Sequence, residues 1–516
     1  MKRTKLRVIS FCMAAVLILG GCGTKAPENK QEDAAQATPV ATDAGDSGEG
    51  QSDLEPVELT WYIPGVAQTD AEMVFEKANE IIKEKINATV NFNVVSFGDY
   101  SDKVSVMLST GEPLDICFTS DWSNNYVQNV AKGAYLPLDD LLDQYAPKLK
   151  ASVPEKFWDA TRISGQIYGV VNQQISAKTS GPLMPKDYEE KYNFNIKDTK
   201  ELRDLEPVLE QMKKSENETF IPFLSGVGAA SALDRIYAYY GIETIAGKFI
   251  PGAINVFNDE VQVVNQFNMD EVKEYFNLMH EWYQKGYIRS DAASYKETGA
   301  DFKAKNIGVA LNTNIKPGGA QEQSLMRGYE IEETAWGKPI LSTSGILTTL
   351  NAIPQSSKNP ERAMMLLELI NDPDDTELYN LLVYGIEGTH YNKVSDNRIE
   401  LTGDSYNFVN SSWALGCVYN GYLAGNAPDD VWEQTRKVNE DAFTSPLIGF
   451  SFDATPVNSE IAQCSSVADE LLPALMVGAA DPETELDSFL DKLNQAGADT
   501  IIQEMQRQID EWLANK

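Results

Sequence analysis

Between residues 57 and 119 the chain alternates short β-rich runs with helical repeats, which restricts it to a small set of folds. "VELTWYIPG" is dense in β-formers and stops at Pro64-Gly65, and "DAEMVFEKANEIIKEKI" follows, with Met73, Ala78, Ile81, Ile82 and Ile86 near helical spacing. "ATVNFNVVSF" alternates as a strand, "DYSDKVSVMLSTGEP" reads as a helix ended by Gly111, and "LDICFTS" is a short buried strand. This β-α-β-α-β order predicts an α/β protein with a mainly parallel sheet, in which ligands sit off the carboxyl ends of the strands.

The pattern continues through "GQIYGVVNQQ" as a strand, "DTKELRDLEPVLEQMKKSE" as a helix capped by Asp198 or Thr199, "MDEVKEYFNLMHEWYQKGYI" as a long amphipathic helix, and "KNIGVALN" as a strand. Helices dominate afterwards: one begins with Asn359 and Pro360, and the tail carries two that break near Gly497. With 42% hydrophobic residues and 8 Trp, 22 Tyr and 19 Phe, the roughly 460 residues after position 56 suffice for at least two domain-sized cores.

The first 56 residues do not share this pattern. Lys2, Arg3, Lys5 and Arg7 precede an apolar run from Val8 to Leu19 that is shorter than the roughly 20 residues of a membrane span, so residues 1–21 read as a secretion signal. The run ends in Leu19-Gly20-Gly21-Cys22, which resembles the lipobox of bacterial lipoproteins and implies diacylglyceryl attachment at Cys22. Residues 22–56, poor in apolar side chains and rich in Ala, Glu, Asp, Gln, Pro and Gly, cannot repay ordering entropy and are expected to form a tether. The folded part is therefore expected to sit on the extracellular face of the membrane, lipid-anchored.

Charge excludes one class of partner. The chain holds 43 Lys plus Arg against 77 Asp plus Glu, a net charge of −34, and removing the four basic residues of the leader deepens the deficit to about −38. Such a surface repels phosphate backbones, so nucleic acid is not expected as a partner. The folded part contains Cys117, Cys417 and Cys464 in no metal-binding spacing; buried thiols and a Cys417–Cys464 bridge both remain open.

Groups for catalysis are scarce. His280 sits at the edge of the stripe Val272, Phe276, Met279 and Tyr283, where boundary packing is expected, and His390 is expected in a turn in "GIEGTHY", with either a cleft role or a structural one. No nucleophile elbow accompanies either histidine. "GIETIAGKF" fails as a phosphate loop, because five residues separate Gly241 from Gly247 and Phe249 follows Lys248. Neither catalytic residues nor a cofactor is expected.

The joint order of "VSVMLSTGEPLDICFTSDW", "GAYLPLDDLLDQYAP", "ISGQIYGVVN", "AIPQSSKNPERAMMLLELI", "VYGIEGTHYN" and "SPLIGFSFDATPVNSEIA" resembles the extracellular solute-binding lipoproteins of ATP-driven (ABC) carbohydrate importers. "GIEGTHY" and "SPLIGF" are similar to the low-GC Gram-positive subset with a distinctive C-terminal region. The resemblance covers nearly all of residues 57–516. It implies a two-lobed type II periplasmic-binding-protein fold with a hinge and an interlobe cleft, lobe one being 57–173 plus 305–375 and lobe two 176–303 plus 378–516. It also implies a monomer that captures an oligosaccharide and delivers it to ABC permease subunits. A peptide or other polar ligand in the same fold, or a sensor of a membrane kinase, are the alternatives; bound calcium in an acidic loop such as "NDPDD" stays open.

A sugar presents hydroxyls at its rim and C–H groups on its faces, so its site wants planar polar side chains and aromatic rings. Asp121 and Trp122 follow the strand "LDICFTS", where the resemblance implies contact with ligand. Asn172, Gln173 and Gln174 lead into the hinge, and strand alternation lets at most two of them reach ligand, Asn172 and Gln174 being the pair in register. Of Trp61 and Tyr62, one is expected at the cleft edge. Trp336 and Trp413 stand beside turn residues, and Asn312 and Asn314 follow a strand; Arg235 and Asp453 are weaker candidates.

Overall fold

The computed structural model describes residues 54–225, 228–295, 298–313 and 315–515. The leader, Cys22 and the tether up to residue 53 lie outside the described residues, as does Asn314. Numbering only the strands of the two large sheets, the chain forms β1 (Val57–Pro64), β2 (Ala88–Val95), β3 (Ile116–Thr119), β4 (Val170–Val171), β5 (Lys178–Pro185), β6 (Ile221–Leu224), β7 (Ile307–Asn312), β8 (Ile331–Glu333), β9 (Trp336–Leu341), β10 (Leu350–Ala352) and β11 (Phe443–Thr444).

The opening alternation folds as its pattern requires. β1 pairs in parallel with β2 and β3, and the helices Ala71–Ile86 and Phe97–Thr110 supply the crossovers. The helix Phe97–Thr110 starts where the Ser96 side chain accepts from Asp99 N–H, and it stops at Gly111, whose φ of 69° only glycine adopts cheaply. β10 joins β3 and β4 antiparallel, completing the order β2-β1-β3-β10-β4, so this sheet is mixed rather than mainly parallel. A first core packs on it, with Leu59, Trp61, Val74, Ile82, Ile116 and Phe118 fully buried.

The second sheet runs β11-β9-β5-β7-β6, with β8 alongside β5, and carries its own core, including Leu209, Phe223, Trp282 and Phe489. These are the two lobes, and the chain crosses between them near residues 172–178, 341–346 and 442–447. The crossings touch: a Cβ on Gly345 would lie 2.4 Å from the carbonyl oxygen of Ser176, and Ser445 N–H donates to Leu341 O at 2.9 Å.

Two assignments from sequence are corrected. The segment 305–341, expected in lobe one, belongs to lobe two, because β7 pairs antiparallel with β5 (Ala310 opposite Leu183) and parallel with β6 (Val309 opposite Phe223). Residues 378–442, expected in lobe two, belong to lobe one: the helix Glu377–Tyr384 buries Leu378, Tyr379, Leu382 and Val383 in the first core. The helix expected over 198–216 is confined to Glu206–Ser215, where Pro207 occupies the first turn, and short 3-10 turns precede it. The tail helices Pro482–Gln495 and Ala498–Ala514 flank Gly497, at φ 104°. Cys117, Cys417 and Cys464 are buried free thiols, which removes the bridge.

Candidate functional site

An interlobe cleft begins where β3 ends. The chain turns sharply there: Ser120 Oγ accepts from Trp122 and Ser123 N–H at 3.3 and 2.8 Å, and Asn124 takes φ 47° while its Nδ2 donates to Phe118 O and to the Tyr135 hydroxyl at 2.8 and 3.0 Å. This turn presents Asp121 and Trp122 outward. Asp121 N–H donates to Leu347 O at 2.9 Å, and the Ser344 hydroxyl donates to Asp121 Oδ2, tying the turn to the second crossing. Asp121 Oδ1 has no hydrogen-bond partner among the described residues.

Trp122 is 52% exposed, yet its ring is fixed by donation from Nε1 to Thr348 O at 2.9 Å. Trp413, in the short 3-10 helix Val409–Ala414, is fixed likewise by donation to Asn410 O at 2.9 Å. The two indoles stand 5.9 Å apart at 64°, with Phe118 beneath both at 5.8 and 5.5 Å and Phe97 stacked on Trp413 at 6.0 Å. With their N–H groups directed into the protein, the rings offer apolar faces to the cleft.

Three contiguous pockets extend from this platform, of about 130, 330 and 640 Å³. The middle one lies between Trp122, Trp413, Gln174 and Thr349 of the lobe-one side and Lys178, Asn312 and Lys316 of lobe two. The largest reaches from Asp121, Trp122 and Ser344 to Asp234, Glu243 and Lys248. Lys248 pairs with Asp234 at 2.6 Å and Lys316 with Glu322 at 2.7 Å. Burial pushes the Glu243 carboxyl up to about 7, against the opposing hydrogen bond from Ser445. Glu333, which accepts from Asn312 Nδ2 at 3.4 Å, is pushed up to about 7, chiefly by burial. The cleft thus carries acceptors, donors and apolar ring faces together, the composition a polyhydroxylated ligand requires.

Asp121, Trp122, Gln174, Asn312 and Trp413 are brought to this cleft; other expected residues are not. Trp61 is fully buried in the first core, and Tyr62 packs on that core with Lys103 over its ring at 5.2 Å, so neither lines these pockets. Trp336 is 3% exposed, because its Nε1 donates to Thr199 O and Oγ1, both at 3.1 Å, and its ring meets Tyr239. His390 is equally buried: Nδ1 accepts from Ile386 N–H at 2.9 Å, which leaves the proton on Nε2, 3.3 Å from Asp70. It holds a turn, not a ligand. Gln173 reaches Ser152 instead, Arg235 and Asp453 line none of the three pockets, and His280 packs at a boundary with Nδ1 2.9 Å from Gly478 O.

Asn172 is also buried, but it acts on the cleft from behind. Its Nδ2 donates to Trp413 O at 3.0 Å, and its Oδ1 accepts from Asn351, whose Nδ2 also reaches Ala414 O and Leu415 O at 3.1 and 3.2 Å. The two amides therefore hold the backbone that carries Trp413. Sequence reasoning missed Lys178, Lys316, Thr348 and Glu243; only Lys316, in a Lys-Pro-Gly-Gly run after a strand, carries a local sign of a loop at a cleft mouth.

Comparison with known proteins agrees with this architecture. A carbohydrate ABC transporter substrate-binding protein of Streptococcus pneumoniae is 29% identical over 92% of this chain and 93% of its own length, and the polygalacturonan/rhamnogalacturonan-binding protein YtcQ of Bacillus subtilis is 22% identical over 89% and 94%. The N-glycan transport solute binding protein NgtS of S. pneumoniae superposes with a TM-score of 0.81 at 27% identity, over 89% of this chain and all of that one; its complex with Man5GlcNAc gives 0.71 at 27% identity over 90% and 99%, and its complex with Man1GlcNAc 0.75 at 26% over 89% and 100%. Residues 446–514 match a domain of unknown function, and residues 75–385 match the bacterial extracellular solute-binding protein model. With that match over more than half its length, the chain belongs to the bacterial extracellular solute-binding protein family.

Proposed function

We propose that this protein captures an oligosaccharide between its lobes, outside the cell, and delivers it intact to the membrane subunits of an ABC importer. The observation that carries the reading is the Trp122–Trp413 platform in lobe one facing the polar rim of Lys178, Asn312 and Lys316 in lobe two. A sugar stacked on the indoles would hydrogen-bond across the gap, and only a ligand gripping both lobes at once shifts the open–closed balance. The glycan complexes of NgtS support the ligand class, and the similarity to a carbohydrate ABC transporter substrate-binding protein supports the permease as destination. The lipid anchor at Cys22 and a monomeric state belong to the same reading. On this account the chain performs no covalent chemistry on its cargo.

Thermal unfolding of the full chain against a panel of oligosaccharides, peptides and single sugars tests this. At a hundred times the dissociation constant a ligand stabilises the folded form by about 2.7 kcal/mol. A rise in midpoint with an oligosaccharide recovered unchanged by mass supports the proposal. A rise with peptides alone, or a cleaved glycan, overturns it.

A further inference from the structure

The smallest arm of the cleft differs in chemistry from the other two. Its volume is about 130 Å³, and Tyr379, Tyr384, Trp413, Tyr422 and Trp432 of lobe one line it with Val409 and Leu423. The donors of four of these five aromatics are taken up by backbone carbonyls: Tyr379 to Ser412 O at 3.3 Å, Tyr384 to Tyr422 O at 2.7 Å, Trp432 to Gly421 O at 2.9 Å and Trp413 to Asn410 O at 2.9 Å. Thr435, the neighbouring hydroxyl, donates to Val431 O at 2.7 Å. A sugar hydroxyl placed against these rings would lose its water partners and gain few in return.

Lobe two brings an apolar group to the arm, beside Lys316, Gln321 and Glu322, of which Lys316 and Glu322 pair with each other at 2.7 Å. On the helix Gly319–Arg327, Leu325 is 61% exposed although large and aliphatic, and it lies against Gly425, where a Cβ would meet it at 3.6 Å. At the base of that helix Gly318 approaches lobe one so closely that a Cβ would stand 2.7 Å from Val431. The arm is therefore a pocket shared by both lobes, and its size approaches that of an engineered apolar cavity of about 150 Å³ that accepts benzene and stays dry. That is room for a substituent, whereas the two larger pockets beside it have the volume and hydrogen-bonding groups for sugar rings.

On the reading that the cleft binds a glycan, we infer that this arm is a specificity subsite for an apolar substituent on one end of the bound oligosaccharide, such as the methyl of an acetamido group, a 6-deoxy carbon or an aryl aglycone. It selects against a terminal sugar bearing only hydroxyls. Leu325 and Tyr422 are its specificity-determining residues, one from each lobe, so an occupied arm also favours closure.

The test uses the full chain and pairs of oligosaccharides matched except for one group: acetamido against hydroxyl, 6-deoxy against hydroxymethyl, and p-nitrophenyl glycoside against free reducing sugar. Affinities are read by calorimetry on wild type, Leu325→Gln and Tyr422→Ala, with thermal unfolding as the control for folding. Leu325→Gln alters an exposed side chain and leaves the fold intact. In at least one pair the substituted member is expected to bind about fourfold more tightly per buried methylene equivalent, and the Leu325→Gln variant is expected to lose that preference while keeping its affinity for the unsubstituted member. Whichever pair shows the effect identifies the substituent. Equal affinities within every pair, or a preference that survives Leu325→Gln, overturns the subsite and leaves the glycan reading standing. Binding of no oligosaccharide overturns both.

Discussion

Asn439, three residues ahead of the third interlobe crossing, holds the first one, and its removal has a calculable cost. Its Oδ1 accepts from Ser176 and Ala177 N–H, both at 2.9 Å, and its Nδ2 donates to Gln174 O at 2.7 Å and contacts the Tyr419 hydroxyl at 3.1 Å. Asn439, Ser176 and Ala177 are 5%, 3% and 1% exposed, so water does not replace the amide. In Asn439→Ala, Gln174 O keeps the Tyr419 hydroxyl, which donates to it at 3.0 Å, and the loss concentrates on the two backbone N–H groups. Each buried N–H left without an acceptor costs about 1–3 kcal/mol, giving roughly 2–6 kcal/mol for the pair. Hydrogen exchange read by mass spectrometry across residues 172–178 measures this locally. Protection there is expected to fall at least about thirtyfold, the factor corresponding to about 2 kcal/mol, while Gln173→Ala changes it little. Unchanged protection in Asn439→Ala would show that the amide does not hold the crossing.

Trp122→Ala is expected to weaken oligosaccharide affinity about tenfold or more by calorimetry while the thermal midpoint falls only slightly, since the ring is half exposed. His390→Ala is expected to lower stability by about 2–4 kcal/mol in urea unfolding, through the lost Ile386 contact and a cavity, and to leave glycan affinity unchanged. Because the folded-state values of Glu243 and Glu333 are raised, the native state holds protons that the unfolded chain releases above about 4.5; stability should therefore fall as pH rises from about 4.5 to 7, and Glu243→Gln should flatten that slope and raise the midpoint at pH 8. Cys117, Cys417 and Cys464 are buried, with thiols pushed up to about 12, 11 and 11, so a thiol reagent at pH 8 should label them only after unfolding.

Local periodicity made the first half of lobe one readable, because each element from β1 to β3 has neighbours close in sequence. The lobe boundaries were not, since β7 finds its partners 127 residues upstream at Leu183 and 86 upstream at Phe223, and no local signal carries that pairing. Trp122 was legible because a post-strand turn must face the cleft. Trp336 misled for the opposite reason: Gly337 and Pro339 beside it suggest a loop, yet they belong to β9, whose pairing with β5 turns the indole inward. Strand alternation predicted one of Trp61 and Tyr62 at the cleft edge, but Trp61 is fully buried in the first core and Tyr62 packs against it, so neither reaches the cleft. The apolar arm was invisible because Leu325 and Tyr422 come to line one pocket only through the interlobe arrangement.

The most direct test of the account is small-angle X-ray scattering of the full chain, with and without a saturating glycan found by the thermal screen, with the glycan's mass checked afterwards. The account predicts a saturable decrease in radius of gyration and an unaltered glycan. A glycan that binds without compacting the protein, or that is recovered cleaved, would contradict it.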